Sequence, residues 1–418
     1  MIEVIIDIPV PGDPEDPAQY DFTLLDQQVS AILNSGAEPV IHLIPPRVKP
    51  SDSGKFASYA KNIARHLTQG WGNGNTFEVK IFRFGNEPEL SIFWSGTREE
   101  FFQTYEVWAK AMKEVSSSFI LEAPGFVSPF GQDHFSSAGE MKDLNDWVSD
   151  FLDYCTSHDV PVDIVTFHTY SPIPRTFYEG TAMMRKELEK YPSLSPLYGT
   201  PRLGNDEWSF MTGDLWSGSY HSQFDSAWAA AHNIGSLIHM IDQGASLSIR
   251  YGGPFNGTQG DGHDFLLTDG YGNGKPAYYA FEGFNWLAGK VRLSSSGGDT
   301  MNFSTLAGHD AQQLVVVMAS FDVKTYLEKY EPAGSQAWKE YSLYASKYGT
   351  PAVCQRFNLT FRNLPWSSSR QVVYEHYAVD DTKKLELVEA EEVEGSGTLS
   401  FSAAMNAPSV HIVKLHAR

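Results

Sequence analysis

The sequence predicts an α/β fold in which a TIM (β/α)8-type barrel is followed by a C-terminal β-sandwich. Three observations predict it. Short β-rich runs alternate with longer amphipathic helices through the first two thirds of the chain, and strands without substantial helices follow. The chain has 418 residues, enough for one large domain and one smaller one. We place the barrel in residues 1–295 and the β-sandwich in residues 296–418.

Seven strands are expected in the barrel region, and amphipathic helices separate them. The helical stretches repeat apolar residues at i, i+3, i+4 and i+7, which gives one buried stripe per helix. An open doubly wound sheet shows the same alternation, but no G-x-G-x-x-G follows the first strand to support a dinucleotide site. The expected strands are residues 2–8, 38–44, 79–85, 119–125, 163–170, 202–209 and 246–253.

The second region reads as a β-sandwich because its strands follow one another without substantial helices between them. The strand sequences are QQLVVVMASF, QRFNLTFRN, RQVVYEHYAV, KLELVEAEEV, GTLSFSA and SVHIVKLHA. One segment, residues 324–349, interrupts this pattern with helical or loop character. No low-complexity linker separates the two regions, so we expect the two domains to pack closely.

Charge and hydropathy exclude several classes of partner. The chain has 51 acidic and 31 basic residues, for a formal net charge of −20. This excess disfavours nucleic acid and anionic membrane surfaces, both of which require clustered Lys and Arg. No run of eighteen apolar residues is present, so no membrane span is expected. The 10 Trp, 20 Tyr and 26 Phe suit sugar stacking, although aromatic rings also fill cores.

The strongest functional signal is FRFGNEPEL at residues 82–90. Asn86 and Glu87 end a predicted strand, at the mouth where barrel enzymes build their active sites. Buried polar groups need partners, so adjacent Asn and Glu at a strand end indicate a site. The alternative for Glu87 is an ordinary loop acid or a helix cap.

A second carboxylate, Glu207 in GNDEWSF, also ends a predicted strand. Alone it is equally compatible with a solvated loop acid. The pair is more informative, because retaining hydrolysis of a glycosidic bond needs two carboxyl groups roughly 5–5.5 Å apart. One attacks the anomeric carbon, and the other protonates the leaving oxygen and later activates water.

These motifs resemble clan A glycoside hydrolases, and more narrowly family 39, which includes β-xylosidases and α-L-iduronidases. The resemblance covers most of residues 18–290 in pieces, through the 20–46 stretch, FRFGNEPELSIFW, VDIVTFHTY, the Glu207 strand and KPAYYAFEGFNWLAG. It implies a retaining hydrolase of plant or microbial oligo- or polysaccharides, exo- or endo-acting, with no cofactor and no metal. Glu87 would be the acid/base and Glu207 the nucleophile.

The resemblance also implies the substrate-binding residues. Asn86 would hydrogen-bond the sugar 2-hydroxyl, and Tyr170 would donate to Glu207. His168 would lie near the nucleophile, while His42 and Trp208 would contact the sugar. For His42, His168 and Trp208 a packing role is the alternative.

The strand count departs from the family pattern. In the family the two carboxylates follow strands four and seven, whereas here Glu87 closes the third recognisable strand and Glu207 the sixth. A first strand and helix missing before Met1 would repair the count, and we expect the sequence to begin late. That missing part would also have held any secretion signal, and we expect an extracellular protein.

Other features remain open. The sequons at Asn256, Asn302 and Asn358 permit glycosylation in a secreted protein. The acidic loop with Asp261, His263, Asp264 and Asp269 matches no EF-hand, so no metal is expected there. The main alternative function is a non-catalytic carbohydrate-binding protein on a truncated hydrolase scaffold, and a third is an unrelated barrel enzyme. A separation of the two Glu carboxylates well beyond 6 Å would indicate the third.

Overall fold

The structure is a computed structural model that describes residues 1–45, 52–131, 143–209, 221–252, 267–269, 271–366 and 370–418. Its first sheet has seven parallel strands in chain order, curled like a barrel wall. Adjacent strands pair in parallel because each connection between them carries a helix. The strands are β1 (Ile2–Ile5), β2 (Pro39–Leu43), β3 (Ile81–Phe84), β4 (Ile120–Phe126), β5 (Ile164–Tyr170), β6 (Arg202–Ser209) and β7 (Ala245–Arg250).

Eight helices in the described part of the chain accompany this sheet. The sequence sets their ends: Thr97 and Glu100 form a capping box at the start of one, and Gly70 ends another in the left-handed conformation. The helices are α1 (Thr23–Asn34), α2 (Ser53–Gln69), α3 (Arg98–Val115), α4 (Asp146–Ser157), α5 (Pro174–Leu188), α6 (His221–Phe224), α7 (Ala227–Asp242) and α8 (Pro276–Phe284).

The second region contains two antiparallel sheets. The larger has the strand order β13-β12-β15-β10-β9-β8, and the smaller pairs β11 with β14. The strands are β8 (Val291–Arg292), β9 (Phe303–His309), β10 (Gln313–Ser320), β11 (Arg356–Arg362), β12 (Gln371–Val379), β13 (Lys384–Glu394), β14 (Thr398–Ala404) and β15 (Ser409–Ala417).

The two antiparallel sheets face each other across a shared apolar core. Phe357, Phe361 and Phe401 of the smaller sheet belong to one buried cluster with Val372 and Leu415 of the larger sheet. Burial alternates along β11 and β12, as expected for strands with one face on the sandwich core, whereas β10 and β15 are buried on both faces. The predicted fold class, a barrel-type sheet followed by an antiparallel β domain, is confirmed.

The two regions share a second core. Helix α7 is buried over most of its length, and its residues Trp228 and Ile234 join a cluster that includes Val317 of β10 and Ile412 of β15. The predicted interruption consists of α9 (Val323–Tyr330) and α10 (Gln336–Tyr348), which pack into the same cluster. The close packing expected from the missing linker is therefore present.

Seven barrel strands were expected and seven are described. Each expected run contains or nearly coincides with its observed strand, and β6 matches the predicted 202–209 at both ends. Strands β1 and β7 stand at the two ends of the strand order. Among the helices described, none is both long and apolar enough to cross a membrane.

Candidate functional site

Strands β3, β5 and β6 bring the predicted carboxylates together at their carboxyl ends. Glu87 follows β3 by three residues, and Glu207 lies within β6. His168 of β5 stands beside Glu207 in the parallel register of these two strands. One side-chain ligand atom from each of Glu87, His168 and Glu207 lies within 4.8 Å of the other two.

Tyr170 contacts Glu207 directly. Its hydroxyl donates a hydrogen bond to Glu207 Oε1 at 2.5 Å. Burial, reinforced by the charge of Glu207, raises the pKa of Tyr170 well above its ordinary value. The phenol therefore keeps its proton, and it serves Glu207 as a permanent donor.

His168 contacts Glu87. The ring is fully buried, and its Nδ1 lies 2.8 Å from Glu87 Oε1. On the other side of the ring, Nε2 lies 3.1 Å from an Arg83 guanidinium nitrogen and 3.5 Å from Asp206 Oδ1. His168 thus connects the partly exposed Glu87 to charged groups inside the barrel.

Arg83 is the centre of that buried charge network. Its guanidinium contacts Glu3 Oε1 at 2.6 Å and Asp206 Oδ2 at 2.8 Å, and Glu122 lies 3.7 Å away. Burial acts to raise the pKa of Glu3, but Arg83 and His42 outweigh it and hold that pKa well below its ordinary value. Glu3 is therefore ionised and compensates the buried guanidinium charge.

Glu122 behaves in the opposite way. It is fully buried on β4, where burial and then the negative charge of Asp206 raise its pKa well above the ordinary value. This shift favours the neutral form of Glu122. The shorter ion-pair contacts of Arg83 are those with Glu3 and Asp206.

The Glu87 turn has its own supports. Glu87 has a positive φ of 39°, a conformation that costs energy for a residue with a side chain. Its backbone N–H donates to Gly125 O at 2.8 Å, which fixes the turn against β4. The Glu89 carboxylate accepts from the Val127 backbone N–H and, at 2.6 Å, from the Asn145 side chain.

The other predicted site residues lie in different surroundings. Asn86 is beside the pair, and its Oδ1 accepts a hydrogen bond from Arg83 at 3.0 Å. His42 is buried below the Glu87 turn, where its two ring nitrogens contact Glu3 Oε1 and Gly85 O. It therefore supports the turn rather than a surface open to a sugar.

Trp208 is not brought to the carboxylate pair. Its side chain lies on the helix-facing side of β6, 1 % exposed, in a cluster with Phe177 and Met240. The indole N–H donates to Ser248 Oγ at 2.8 Å. The packing role that the sequence left open is the one the contacts support.

A bulge in β6 explains which side chains face the site. Phe167 pairs with Asn205 and His168 with Glu207, so Asp206 is one extra residue in β6. Strict alternation would have sent Asp206 and Glu207 to opposite faces. The bulge places both toward the interior, and the sequence carried no signal for it.

Sequence reasoning also missed Glu3, Glu122 and Glu89. Glu3 and Glu122 sit inside predicted strands, where an acidic residue is unusual, and that anomaly was the available signal. Tyr251, just after β7, was missed as well. Its ring lies 6.3 Å from that of Tyr170, and burial followed by the charge of Glu207 raises its pKa.

Three ligand-type residues this close could either bind a divalent cation or place two carboxylates on the two sides of a reacting bond. A divalent cation would need lone pairs from Glu87, Glu207 and His168 together. His168 Nδ1, however, faces the Glu87 carboxylate at hydrogen-bond distance, which indicates an N–H at that position. The pair is better arranged to flank a bond than to hold an ion.

The acidic loop lies mostly outside the described residues, and so do Asp261, His263 and Asp264. Asp269 is described, and its carboxylate accepts hydrogen bonds from the backbone N–H groups of Tyr271 and Asn273. That arrangement is a local turn. It gives no further support to a cation site.

Comparison with known proteins finds similarity to one described family over part of the chain. The sequence model described as "Glycosyl hydrolases family 39" matches residues 7–192. A β-xylosidase of Caldicellulosiruptor saccharolyticus is 24% identical over 323 residues, covering 70% of this chain and 58% of that protein. A β-xylosidase of Geobacillus stearothermophilus is 28% identical over 38% of this chain and 32% of that protein. The chain thus spans under two thirds of either relative.

Solved structures show the same fold. A glucosidase from Croceicoccus marinus superposes with a TM-score of 0.73 at 22% identity, covering 97% of this chain and 84% of that one. A monomeric β-xylosidase from Caulobacter crescentus CB15 gives 0.68 at 18% identity, covering 95% and 85%. The barrel-type sheet and the antiparallel domain of this chain therefore recur together in these proteins.

Proposed function

The chain is a glycosyl hydrolase family 39-like protein, and from that premise we propose that it is a retaining glycoside hydrolase. In this proposal Glu87 is the acid/base and Glu207 the nucleophile. The observation that carries it is the approach of the two carboxylates within 4.8 Å. Retaining enzymes hold their carboxyl groups roughly 5–5.5 Å apart, whereas inverting enzymes leave room for a water between them.

The first step of the reaction follows from the partners of each carboxylate. Glu207 attacks the anomeric carbon while Glu87 donates its proton to the departing glycosidic oxygen. Tyr170 stabilises the Glu207 carboxylate before the attack, because it donates to Oε1. The result is a glycosyl ester on Glu207 and a free aglycone.

The second step reverses the roles. Glu87, now a carboxylate, takes a proton from water, and that water attacks the anomeric carbon of the ester. Glu207 leaves as a carboxylate and the sugar is released with its original configuration. Arg83 binds the oxygen of the Asn86 amide, so the amide nitrogen is the group that would donate to the sugar 2-hydroxyl.

For the substrate we propose O-glycosides of plant or microbial oligo- or polysaccharides. The relatives include two proteins named β-xylosidase, which makes xylosides the first class to test. The excess of acidic residues favours neutral over anionic substrates.

The test is a comparison of Glu207→Gln with Glu87→Gln on aryl glycosides. Glu207→Gln is expected to abolish turnover of every substrate. Glu87→Gln is expected to slow poor leaving groups by roughly 10²–10⁴-fold, since proton donation is lost. It should spare the first step for dinitrophenyl glycosides, which leave without a proton.

Glu282→Gln, which changes an exposed acid on α8, is the matched control and should leave the rates unchanged. NMR of the freshly released sugar should show the substrate's own anomeric configuration. An inverted product would contradict the proposal. A parent protein that binds sugars and cleaves none of the aryl glycosides would favour the carbohydrate-binding alternative.

We also propose an extracellular location, with Asn358 as the sequon that accepts a glycan. Asn358 is exposed on β11, whereas Asn302 is buried and its amide donates to Pro351 O. Asn256 lies outside the described residues. Expression through a eukaryotic secretory pathway should add a glycan that Asn358→Gln removes, and an unchanged glycan would contradict this assignment.

A further inference from the structure

Arg83 lies beneath the carboxylate pair and contacts four residues there. The guanidinium contacts Glu3 and Asp206 as ion-pair partners, and its Nη2 reaches both Asn86 Oδ1 at 3.0 Å and His168 Nε2 at 3.1 Å. The side chain is fully buried, so it cannot bind a substrate group.

A guanidinium group donates hydrogen bonds and never accepts them. The nitrogen that faces it on an imidazole must therefore be the one without a hydrogen. For His168 that nitrogen is Nε2, which leaves the hydrogen of the neutral ring on Nδ1. Nδ1 then donates to Glu87 Oε1, 2.8 Å away.

We propose that Arg83 is a positioning residue that fixes the Nδ1–H tautomer of His168 and thereby directs the proton of Glu87 to its Oε2. With Oε1 accepting the imidazole N–H, the neutral carboxyl group carries its own hydrogen on the other oxygen. This deepens the proposed function, because it rests on Glu87 as the acid/base. It specifies which oxygen delivers the proton and why.

The backbone is shaped for this contact. Gly125 has a positive φ of 65°, and a Cβ there would lie 2.4 Å from Arg83 Nη2 and 3.1 Å from His168 Nε2. A side chain at this position would push the two groups apart. The carbonyl of the same residue accepts the Glu87 N–H, so one glycine serves both the tautomer contact and the Glu87 turn.

Protonation of His168 sets the lower pH bound of this arrangement. The titratable groups around the ring are Arg83, Glu87, Asp206 and Glu207, and Glu122 lies on the far side of Arg83. Burial acts to lower the pKa of His168, but Asp206 and the hydrogen bond with Glu87 outweigh it and raise the pKa. Once Nε2 gains a hydrogen it turns from Arg83 to Asp206 Oδ1, and the Arg83 contact is lost.

The direct experiment is an NMR measurement of the imidazole nitrogens in the wild-type protein, labelled with 15N at histidine. The His168 signals are assigned by their disappearance in a His168→Asn variant. At the pH of maximal activity, Nδ1 should show the shift of a protonated nitrogen and Nε2 that of a bare one. A neutral ring with its hydrogen on Nε2, or a doubly protonated ring, would overturn the proposal.

Two isosteric variants provide a kinetic test that does not alter Arg83. His168→Asn places an amide N–H where Nδ1 stands, whereas His168→Gln places it where Nε2 stands. The Asn variant should retain at least tenfold more kcat/KM than the Gln variant on glycosides with poor leaving groups. The two should be equal on dinitrophenyl glycosides, which need no proton.

A Gln variant as active as the Asn variant on poor leaving groups would refute the role of Nδ1. The two tests also separate this proposal from the proposed function. An inactive protein whose His168 is the Nδ1–H tautomer would contradict the hydrolase proposal and support the role proposed for Arg83. An active retaining enzyme with the other tautomer would do the reverse.

Discussion

His168 inside the barrel and the pair of His376 and His411 in the β-sandwich are all buried, yet their surroundings shift their pKa values in opposite directions. In the barrel, His168 lies between Glu87 and Asp206, and its pKa is raised. In the sandwich, His376 Nε2 lies 2.7 Å from His411 Nδ1, and burial lowers the pKa of His376 to about 4 and of His411 to about 3.

The difference lies in the carboxylates rather than in burial. A low-dielectric interior penalises any isolated charge, and only an opposite charge nearby reverses the penalty. The barrel supplies Asp206 and Glu3 with Arg83 between them, whereas the sandwich pair faces aromatic rings such as Phe357 and Tyr374. The barrel interior thus stabilises buried charge, whereas the sandwich interior disfavours it.

The largest expected effect comes from removing the cation that the barrel network depends on. Arg83→Met leaves Glu3 and Asp206 buried without their partner. Breaking a buried ion pair in this way costs about 3–5 kcal/mol of unfolding free energy. Urea denaturation at pH 7 measures that loss.

Arg418→Met is the matched control, because Arg418 pairs with Glu392 on the surface. Exposed pairs contribute about 0–1 kcal/mol, so the control should barely move. Equal effects in the two variants would mean that the barrel network does not hold its charges as described. The comparison with the sandwich would then fail.

The second effect concerns acid stability. Because His376 and His411 have lowered pKa values in the folded state, the unfolded chain binds protons first as the pH falls. Their contribution to stability is complete well above pH 6.5 and is lost as the pH falls from about 6.5 to about 4 for His376 and to about 3 for His411, with a size on the order of a few kcal/mol. His168 contributes with the opposite sign, since its raised pKa adds stability that is lost as the pH rises.

A double variant, His376→Leu with His411→Leu, should flatten the dependence of unfolding free energy on pH in that range. It replaces both partners of one hydrogen bond with apolar groups, so the fold should tolerate it. His309→Gln, at the exposed end of β9, should leave the slope unchanged. His232 and His239, whose pKa values burial lowers to about 3, would maintain the remaining slope. An unaltered slope in the double variant would contradict the assignment.

The sequence was sufficient to bring four site residues to one place. Parallel strands have their carboxyl ends at one edge, so Glu87 and Glu207 were expected to meet once the strands were identified. The family resemblance added His168 and Tyr170 beside the nucleophile. Their spacing in the structure agrees with that expectation. The catalytic roles given to them remain proposals.

Asp206 shows where alternation stops assigning faces. Period-two alternation holds only while the register is regular, and the bulge at Asp206 breaks it. The sugar contact of Trp208 was implied by the resemblance alone, and the contacts of its side chain support the packing alternative. The Arg83 network was equally out of reach, because Glu3, Arg83, Glu122 and Asp206 come from four different strands. Which partners meet across a barrel interior depends on side-chain directions that a single sequence does not state.

The smallest expected effect tests whether a buried carboxyl group also stabilises the Glu87 turn. Glu89 accepts hydrogen bonds from the Val127 N–H and the Asn145 amide, and burial raises its pKa. Glu89→Gln replaces one acceptor oxygen with a donor, which faces another donor and loosens the turn. We expect a loss of about 1 kcal/mol in unfolding free energy and about a fivefold fall in kcat/KM on aryl glycosides.

Glu99→Gln, on the exposed surface of α3, is the control for that substitution and should change neither quantity. The Glu89 effect should fall on kcat with little change in KM, because the turn orients Glu87 rather than the sugar. A change confined to KM would place Glu89 at the substrate instead. The strained Glu87 conformation would then be stabilised by the Gly125 contact alone. Stabilisation by buried charged groups would be limited to the Arg83 network.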